Sequence, residues 1–560
     1  MRLLSLLLLV ASASAVQAQS LSVTNVSPAS HTLSTDPNHE IEITFDAPVD
    51  PATISEQTFM VFGRWSGPMT GTIEVSGDAM SVNFTPDGDF FYGEYLAVML
   101  TNAVEGAGGE SLEHGYIWNY WTKTLPGSMV LPEVETIEMK YPEEVWIQCY
   151  GAYAGDINND NFSDLVVVNE DSEDLRILLN DGTGHFEDFI YQDLPFAQKP
   201  STNEAADFNH DGEIDLAIGS RGGDEMSVMI GNGDGTFQEE VYYEGDEQVR
   251  GLAVLDFEGD GYMDVATANR VGSNMAYFRN NQDGTFAEIG TVDLDANGET
   301  ATMAADFNED GLLDLGVGAY QGSSVMVLIS NGDGTFTLSS EVDVNANPWM
   351  IGCGDVNGDG HVDLVSANAG GGNMSVHFGD GMGNLGDPAY YPTGSFPLAV
   401  DLGDLDGDGD LDMISSNYSG VDFTLYENDG TGVFMNPITY DAEAAGSCAI
   451  FHDRNNDGVM DLTAVDEIAD VVILYENSAP TQVGSIDEVT WSVSPNPASN
   501  TLNFTNLSVS NQLALYDGEG RLVRQIVSNS TDISDLPTGH YFVRRIDSVT
   551  APAQQLIIAR

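Results

Sequence analysis

Basic residues are scarce in this chain of 560 residues. It has 16 lysines and arginines against 89 aspartates and glutamates, which gives a formal net charge of −73 at pH 7. Only Lys123, Lys140 and Lys199 are lysines. Such a surface repels phosphate backbones and anionic headgroups, so we expect no binding to nucleic acid or to a membrane surface. The same charge attracts divalent cations, and it also suits a solvated surface in a salty medium.

Cysteines are few, and long apolar runs are absent after the first residues. Cys149, Cys353 and Cys448 cannot all pair, so the chain is not a disulfide scaffold. We expect buried free thiols, with a Cys149–Cys448 bridge as the alternative. No later stretch approaches the ~20 apolar residues of a membrane span, so we expect no membrane insertion.

The N-terminus has the features of an export signal. Arg2 is followed by the apolar run Leu3–Val10 and then by small residues up to Ala18. A positive start, an apolar centre and an Ala-x-Ala-like end are typical of a signal peptide. We therefore expect residues 1–18 to be a signal peptide that is cleaved after Ala18.

Seven copies of one nine-residue pattern dominate the rest of the sequence. The pattern is Asp-x-[Asn/Asp]-x-Asp-Gly-x-x-Asp, and successive copies start 49 to 51 residues apart. The first residues of the copies are Asp156, Asp207, Asp256, Asp306, Asp355, Asp404 and Asp453. Such regular spacing indicates a repeat architecture in which each copy marks one structural unit.

Each repeat has the pattern of four short strands. After each loop come an apolar run, a glycine-rich bend, a second apolar run and a turn with Asn-Gly or Asp-Gly, which favours tight hairpins. Four-stranded sheets repeated around an axis form a propeller, so we predict an all-β fold with a seven-bladed β-propeller. The seventh copy lacks its last strand. We expect Glu133–Tyr141 to supply it by pairing with Val471–Tyr475, which joins the first and last blades and removes one free sheet edge.

The nine-residue loops carry the ligand types that calcium prefers. Calcium binds about six to eight oxygens, and such a loop turns positions 1, 3 and 5 inward, bends at Gly in position 6 and closes with an acid. No sulfur or imidazole occupies a ligand position, which disfavours zinc and copper, and magnesium requires stricter geometry. We therefore predict up to seven Ca2+ ions, one per blade. The predicted metal-ligating residues are Asp156, Asn158, Asp160, Asp164, Asp207, Asn209, Asp211, Asp215, Asp256, Glu258, Asp260, Asp264, Asp306, Asn308, Asp310, Asp314, Asp355, Asn357, Asp359, Asp363, Asp404, Asp406, Asp408, Asp412, Asp453, Asn455, Asp457 and Asp461.

Two copies depart from the pattern. The first has Asn161 at position 6, and asparagine tolerates the left-handed conformation best after glycine. The third has Glu258 at position 3, where the longer side chain is expected to reach an ion through a water. The alternative for all seven copies is a set of Asx-rich turns that bind no metal.

The seven loops and the strands that follow them resemble FG-GAP/VCBS-type repeats, which form propellers in integrin α-subunits and in several bacterial and fungal lectins. The resemblance covers about Glu133–Asn477. Most integrin blades lack the metal loop, whereas all seven copies have it here. The resemblance implies a propeller at the cell surface or outside the cell.

The two ends of the chain resemble other families. Val26–Pro28, Ile41–Phe45, Val82–Pro86 and Ile117–Thr122 are similar to bacterial Ig-like domains, and their short alternating strands also indicate a β-sandwich. Three pieces near the C-terminus resemble the sorting domain of type IX secretion substrates. These pieces are Ser494–Ala498, Leu513–Val523 and Ile533–Val543. The resemblance implies export by the type IX machinery of a Gram-negative bacterium; an ordinary small sandwich is the alternative.

The expected domains follow from these patterns. They are the signal peptide at 1–18, an Ig-like β-sandwich at 21–124, the propeller at 128–478, a linker at 479–488 and a small C-terminal β-sandwich, the sorting domain, at 489–560.

No catalytic constellation is recognisable. The sequence has no His-Glu-x-x-His, Gly-x-Ser-x-Gly or P-loop motif, so no catalytic residue is assigned. The face opposite the metal loops should instead carry aromatic side chains beside arginines and amides, which suit sugar rings. The candidate ligand-binding residues are Trp146, Arg221, Arg250, Arg270, Tyr320, Trp349 and Tyr418. As the alternative, Trp146 and Trp349 fill gaps between blades.

We therefore expect a secreted or cell-surface calcium-binding propeller that binds a glycan or an extracellular protein. One alternative is a polysaccharide lyase or hydrolase, which would need a titrating cluster on the face opposite the metal loops. The other is a purely structural surface component, which a face without a concave pocket would favour.

Overall fold

The computed structural model describes residues 20–186, 188–478, 492–494, 498–505, 513–517, 521–526, 530–545 and 554–559. These residues form β-strands and one short 3-10 helix, Pro51–Thr53, so the all-β prediction is confirmed. The predicted signal peptide and the predicted linker lie outside the described residues. The chain divides into two compact units, Met1–Pro480 and Thr481–Arg560. No helix in the described part is long and apolar enough to cross a membrane.

The N-terminal part of the first unit is a sandwich of two antiparallel four-stranded sheets. One sheet contains, in spatial order, Val23–Ser27, Ile41–Phe45, Ser81–Pro86 and Gly71–Val75. The other contains Gly67–Pro68, Phe59–Gly63, Tyr95–Leu100 and Tyr116–Trp121. Buried residues alternate with more exposed ones in strands such as Ile41–Phe45 and Phe59–Gly63. The buried side chains, such as Ile43, Val61 and Val98, form one core between the sheets.

Seven antiparallel four-stranded sheets, numbered 1 to 7 along the chain, make up the rest of the first unit. The inner strands of sheets 1 to 7 are Cys149–Gly155, Pro200–Ala206, Val249–Leu255, Glu299–Ala305, Pro348–Gly354, Pro397–Gly403 and Gly446–His452. The second strands are Asp164–Asn169, Asp215–Ser220, Asp264–Asn269, Asp314–Ala319, Asp363–Asn368, Asp412–Asn417 and Asp461–Asp466. The third strands are Asp174–Leu178, Glu225–Met229, Asn274–Asn280, Ser324–Ser330, Asn373–His377, Asp422–Glu427 and Val471–Tyr475. The fourth strands are Ile190–Asp193, Val241–Glu244, Phe286–Val292, Phe336–Asp343, Ala389–Pro392, Met435–Asp441 and, in sheet 7, Glu133–Glu138.

The seven sheets form a closed ring. Each inner strand packs against the inner strand of the next sheet, and that of sheet 7 packs against that of sheet 1. Glu133–Glu138 pairs antiparallel with Val471–Tyr475, so the prediction that the N-terminal segment completes the last sheet is confirmed. All second strands are buried along their whole length, because neighbouring sheets cover both of their faces.

The sandwich packs on one face of the ring, the face that carries the seven nine-residue loops; we call it the loop face. The loops join inner to second strands, and the sandwich bonds to their backbone. Four backbone N–H groups on the sandwich side donate to loop carbonyls: Asn102 to Gly259 (2.6 Å), Ile117 to Gly311 (2.7 Å), Leu125 to Gly458 (2.7 Å) and Gly127 to Asp406 (2.8 Å). In the opposite direction, the N–H of Asp156 in the first loop donates to the Trp65 carbonyl (2.7 Å).

A hairpin of the sandwich reaches furthest into the ring. Trp65 at its tip is 2% exposed and lies in the same apolar core as residues of sheets 1, 6 and 7. Glu94 holds this hairpin, because its carboxylate accepts the N–H groups of Trp65 (2.7 Å) and Ser66 (2.5 Å). Burial raises the pKa of Glu94 to about 7 despite these bonds.

The second unit is a smaller all-β domain. Its described strands form a three-stranded sheet of Ser492–Ser494, Thr501–Thr505 and Ser530–Asp532, and a four-stranded sheet of Leu522–Ile526, Leu513–Asp517, Gly539–Arg545 and Gln554–Ile558. Leucine, isoleucine, valine and aromatic side chains fill the space between them.

The three cysteines are free thiols. Cys149 is buried, and Cys353 and Cys448 are partly buried. The expected free thiols are therefore confirmed, and the alternative Cys149–Cys448 bridge is not formed.

Candidate metal loops and a candidate ligand-binding mouth

The nine-residue loops share one backbone conformation. In the fifth loop the Asp355 carboxylate accepts the N–H groups of Asp359 (3.2 Å) and Gly360 (2.8 Å), and Asn357 Oδ1 accepts that of Asp359 (2.8 Å). The N–H of position 5 donates to the position 1 carboxylate in all seven loops. Position 6 is left-handed throughout, with φ of 66° at Asn161 and 84° to 97° at the six glycines. Asn161 therefore makes the same turn as glycine.

The acid at position 9 begins the second strand and ties the loop to its sheet. Asp363 Oδ2 accepts the N–H of Val356 (3.0 Å), and Oδ1 accepts that of Gly379 after the third strand (2.8 Å). Burial raises the pKa of all seven position 9 acids: to about 7 in Asp215 and Asp363, about 8 in Asp164, Asp314 and Asp461, and about 9 in Asp264 and Asp412. Buried carboxylates this close together are costly without a counter-charge.

The donors fit a hard divalent cation. In two loops three carboxylates, Asp256, Glu258 and Asp264 in one and Asp404, Asp406 and Asp408 in the other, bring oxygens within 4.8 Å of one another. The other five loops have an asparagine amide at position 3, which is also an oxygen ligand of calcium. Asp410 adds a further carboxylate to the sixth loop, and burial and its acidic neighbours raise its pKa to about 7.

Two loops contain a positive charge from the protein itself. In the third loop Arg279 Nε lies 2.9 Å from Glu258 Oε1. In the seventh loop Arg454 occupies position 2, where its Nη1 donates to the Gly184 carbonyl and its Nη2 lies 3.8 Å from Asp461 Oδ2. Each guanidinium offsets part of the loop's negative charge, so we expect weaker cation binding there. The sequence pattern missed Arg454 because position 2 is not a ligand position.

The opposite face of the ring has an opening that two repeated positions line; we call it the mouth. The first position lies 14 residues after the first Asp of each loop and follows each second strand directly. Its occupants are Glu170, Arg221, Arg270, Tyr320, Ala369, Tyr418 and Glu467. Each donates its N–H to the carbonyl of the residue before the inner strand of its own sheet, at 2.7 to 3.1 Å.

The second position lies six residues before the first Asp of each loop, near the start of the inner strand. Its occupants are Tyr150, Ser201, Arg250, Thr300, Trp349, Leu398 and Ser447. The pairing register shifts at this position in every inner strand. A β-bulge re-aims a side chain. Three of the re-aimed residues, Tyr150, Arg250 and Trp349, contact one another in the mouth.

Arginines and aromatic rings form one connected cluster in the mouth. The Arg270 guanidinium lies 4.5 Å from the centre of the Tyr320 ring and 4.9 Å from that of Trp349. Arg250 lies 5.2 Å from the Trp349 ring and 5.5 Å from the Tyr150 ring. Trp349 Nε1 donates to the Tyr150 hydroxyl at 2.8 Å, so these rings are fixed against each other.

The aromatic side of the mouth continues into the sixth sheet. Phe396 lies 5.7 Å from the Trp349 ring and 6.2 Å from the Tyr418 ring, measured between ring centres. Tyr320, Phe396 and Tyr418 are partly exposed. Trp349 is only 8% exposed and packs against Tyr320 and Phe396.

Acidic residues of the first and seventh sheets occupy the remaining side of the mouth. Glu170 binds Arg221 through one oxygen, and its other oxygen lies 3.5 Å from Arg250 Nη1. Glu467 accepts a hydrogen bond from the Gln148 amide. Burial raises the pKa of Glu467 to about 7, so this carboxyl changes charge near neutral pH.

The structure brings six of the seven predicted ligand residues together. Arg221, Arg250, Arg270, Tyr320, Trp349 and Tyr418 all lie in the mouth. Trp146 is 50% exposed and makes none of the ring or cation contacts found among the described residues of the cluster. Sequence reasoning missed Tyr150, Glu170, Phe396 and Glu467, although aligning the seven repeats at fixed offsets from the first Asp would have placed them with the others.

A central well of about 190 Å³ lies between the inner strands. The sandwich contributes Phe62 and Arg64 to its wall, and Arg64 Nη1 lies 3.1 Å from Asp401 Oδ1. Burial raises the pKa of Glu204 in the same well to about 7, although the nearby Arg64 opposes this shift. The well is concave but small compared with a typical ligand pocket of about 300 Å³ or more.

Three family models match the chain. One described as an FG-GAP-like repeat matches residues 156–218, 207–267, 256–317, 355–415 and 404–464, so all seven loops lie in matched stretches. One described as a bacterial Ig-like domain matches residues 17–122. One described as a secretion system C-terminal sorting domain matches residues 492–559. A comparison with curated proteins returns no match.

Several solved structures match this chain at low identity. BBS1N in its complex with ARL6DN is 11% identical, with a TM-score of 0.45, and the match covers 63% of this chain and 98% of that chain. An Agrocybe aegerita lectin that recognises non-reducing terminal N-acetylglucosamine is 17% identical, with a TM-score of 0.39 and coverage of 71% and 94%. A Desulfotomaculum acetoxidans protein of unknown function is 12% identical, with a TM-score of 0.37 and coverage of 66% and 98%.

Proposed function

We propose that this protein binds an extracellular glycan at the mouth of its ring. The chain carries FG-GAP-like repeats between a bacterial Ig-like domain and a secretion-system C-terminal sorting domain. It is therefore a cell-surface or secreted repeat protein exported by the type IX system. In this proposal the ring is a calcium-loaded propeller in which each sheet is one blade. The sorting domain implies contact with the secretion machinery during export.

The observation that carries the proposal is the variation at the two mouth positions. The loops, turns and strands repeat with little change, yet the position after the second strand holds two glutamates, two arginines, two tyrosines and one alanine. A repeat needs no such differences to close a ring. Side chains that differ between otherwise equivalent positions instead produce an asymmetric surface, which is what recognition of a particular molecule requires.

The chemistry of that surface favours a saccharide. Partly exposed rings of Tyr320, Phe396 and Tyr418 offer apolar faces on which the C–H face of a sugar can stack. The arginines and Glu467 beside them offer hydrogen-bond donors and acceptors for hydroxyl groups. Because the well beneath is small, a sugar chain would lie across the mouth rather than enter the ring. A protein loop with similar groups is the other partner that this surface suits.

Calcium supports this site from a distance in the proposal. The 28 predicted ligand residues all lie on the loop face, on the far side of the ring from the mouth. When bound, the ions neutralise the clustered carboxylates and fix the loops that join inner to second strands. The mouth residues lie at the other ends of those same strands, so the loops set the spacing of the mouth.

Glu467 also supports acid–base catalysis as a second candidate function. A carboxyl with a pKa near 7 that lies beside two arginines on the face opposite the loops is the titrating cluster that a polysaccharide lyase or hydrolase would need. Release of new chain ends from a polysaccharide, lost in Glu467→Gln, would establish an enzyme. Binding without cleavage would leave the binding function alone.

A glycan array probed with the full chain in millimolar calcium tests the proposal. We expect binding to a restricted set of sugars and its loss in Tyr418→Ala. Tyr390→Ala is the matched control, because Tyr390 is an exposed tyrosine on the fourth strand of sheet 5, away from the mouth. Silence across the array, or equal binding by both variants, would contradict a glycan site at the mouth.

A further inference from the structure

Arg270 is the exception among the basic side chains of the ring. Within the described residues 133–186 and 188–478, every other lysine or arginine has a carboxylate oxygen within 4.0 Å. These residues are Lys140, Arg176, Lys199, Arg221, Arg250, Arg279 and Arg454. No such carboxylate is found for Arg270 in this part of the chain. In a protein with 89 acidic residues, an arginine without an acidic partner is a feature that needs an explanation.

The surroundings of Arg270 hold its guanidinium in place and leave its edge open. Tyr320 and Trp349 lie against it at 4.5 and 4.9 Å. No hydrogen bond from the guanidinium is found to any described residue, so its N–H donors remain available at the partly exposed edge. A guanidinium held by aromatic rings with free N–H groups is preorganised to bind a planar or tetrahedral oxyanion in the bidentate manner.

The charges around Arg270 also favour an anion. Burial, together with the neighbouring positive charges of Arg250 and Arg221, lowers the pKa of Arg270. Arg221 and Arg250 share the carboxylate of Glu170, and Glu467 is the other acid beside them. The three arginines therefore outnumber the two carboxyl groups on this side of the mouth. An anion bound at Arg270 would relieve the repulsion between the three guanidinium groups.

We propose that the glycan bound at the mouth is acidic and that Arg270 binds its carboxylate or sulfate group. This inference rests on the proposed glycan-binding function and names the class of sugar. The acidic group would lie at the edge of Arg270, and the ring that carries it would extend toward Tyr320, Phe396 and Tyr418. An acidic peptide would satisfy Arg270 but would leave these partly exposed rings without a matching partner, which is why the saccharide is favoured.

Calorimetric titration of the full chain with matched oligosaccharides tests the inference. The probes are a trigalacturonate and its methyl ester, and a sulfated galactose trimer and its desulfated form, all dialysed against one millimolar-range calcium buffer. We expect at least one acidic probe to bind about ten-fold or more tightly than its neutral counterpart, the size of effect expected for one charged hydrogen-bonding pair. The pair in which the acidic probe binds more tightly relative to its neutral counterpart shows whether Arg270 prefers a carboxylate or a sulfate.

Variants at Arg270 locate the effect. Arg270→Gln should remove the difference between the acidic and neutral probes, and Arg270→Lys should retain part of it, because lysine keeps the charge but not the planar fork. Lys199→Gln is the matched control, since it removes one positive charge from a partly exposed side chain outside the mouth cluster. A melting curve for each variant in calcium shows that the ring is folded.

Each outcome has one meaning. Equal binding of acidic and neutral probes, unchanged in Arg270→Gln, overturns the acidic class and leaves the glycan function standing. An acidic preference that Lys199→Gln abolishes as fully as Arg270→Gln overturns the role of Arg270. If no oligosaccharide binds but a poly-glutamate peptide does, both the acidic-sugar inference and the glycan function are overturned.

Discussion

The two faces of the ring are built by opposite rules. On the loop face the same side chains recur in every repeat, acids dominate, and the sandwich packs over them through hydrogen bonds to the loop backbone. At the mouth the occupants of equivalent positions differ from sheet to sheet, and arginines and aromatic rings gather there. Repetition suits a structural task that each sheet must perform alike, whereas variation suits recognition.

Removal of calcium should have the largest effect. We expect EDTA to lower the melting temperature of the full chain by more than about 10 °C, because several buried acidic loops would lose their counter-charge at once. The loops should also release the sandwich, so that proteolysis between residues 123 and 132 becomes faster. Calcium, but not magnesium at equal concentration, should reverse both changes. An unchanged melt in EDTA would contradict the calcium assignment.

A single loop should contribute a smaller part of that effect. Asp359→Ala removes position 5 of the fifth loop and should lower the melting temperature in calcium by about 5 °C, the loss of one ion. Asp457→Ala makes the same change in the seventh loop, where Arg454 already supplies positive charge, so its effect should be less than half as large. In EDTA the two variants should melt alike; a larger effect at Asp457 would show that Arg454 does not weaken the site.

The features that repeat from sheet to sheet could largely be predicted from the sequence alone. The period of 49 to 51 residues indicated the four-stranded units, and the missing strand of the last copy indicated the closing pair of Glu133–Glu138 with Val471–Tyr475. The left-handed turn at Asn161 also followed from the residue type. These features depend on local pattern, which a single sequence contains. The metal-ligand assignments themselves stay predictions.

The arrangement of the mouth, the docking of the sandwich and the position of Arg454 depend on contacts that no local sequence pattern contains. The docking of the sandwich on the loops joins surfaces without a shared period, such as Ile117 and Gly311. Trp146 resembled Trp349 in type and in setting, yet a bulge turns Tyr150, four residues later, toward the mouth instead. Arg454 lay outside the ligand pattern, although its side chain reaches the acid of its own loop.

The link between the sandwich and the well offers a third test. Arg64→Ala leaves the Asp401 carboxylate in the well near Glu204 without its ion pair. We expect a loss of about 1–2 kcal/mol, below the cost for a fully buried pair, because the well admits water that screens the charge. Adding Asp401→Asn should recover part of the lost melting temperature. Sugar binding at the mouth should not change; if it does, the ion pair in the well also helps to position the mouth.

The smallest expected effect is a pH dependence of binding at the mouth. Glu467, with a pKa of about 7, is mostly neutral at pH 6 and mostly ionised at pH 8. It faces Gln148, Glu170, Arg221 and Arg250, so its protonation makes the mouth one charge more positive. An acidic sugar, which stays ionised, should therefore bind about three-fold more tightly at pH 6 than at pH 8.

Two controls identify the titrating group. Glu467→Gln should remove the pH dependence, and the neutral sugar of the same pair should show none in the unmodified protein. Tighter binding at pH 8 than at pH 6 would mean that the sign of the charge at the mouth has been misjudged.

The closing strand also determines how the ring would carry a mechanical load. Val471–Tyr475, the last strand before the chain leaves the ring, is held on one side by Asp461–Asp466 and on the other by Glu133–Glu138. Tension applied at Ser478 therefore runs along a strand with a ladder of hydrogen bonds on each flank, and both ladders must shear together before the strand moves. Had the last strand been an edge strand, the same pull would load one ladder only. A pull at residue 478 would therefore have to break both ladders before the ring opened at its seam.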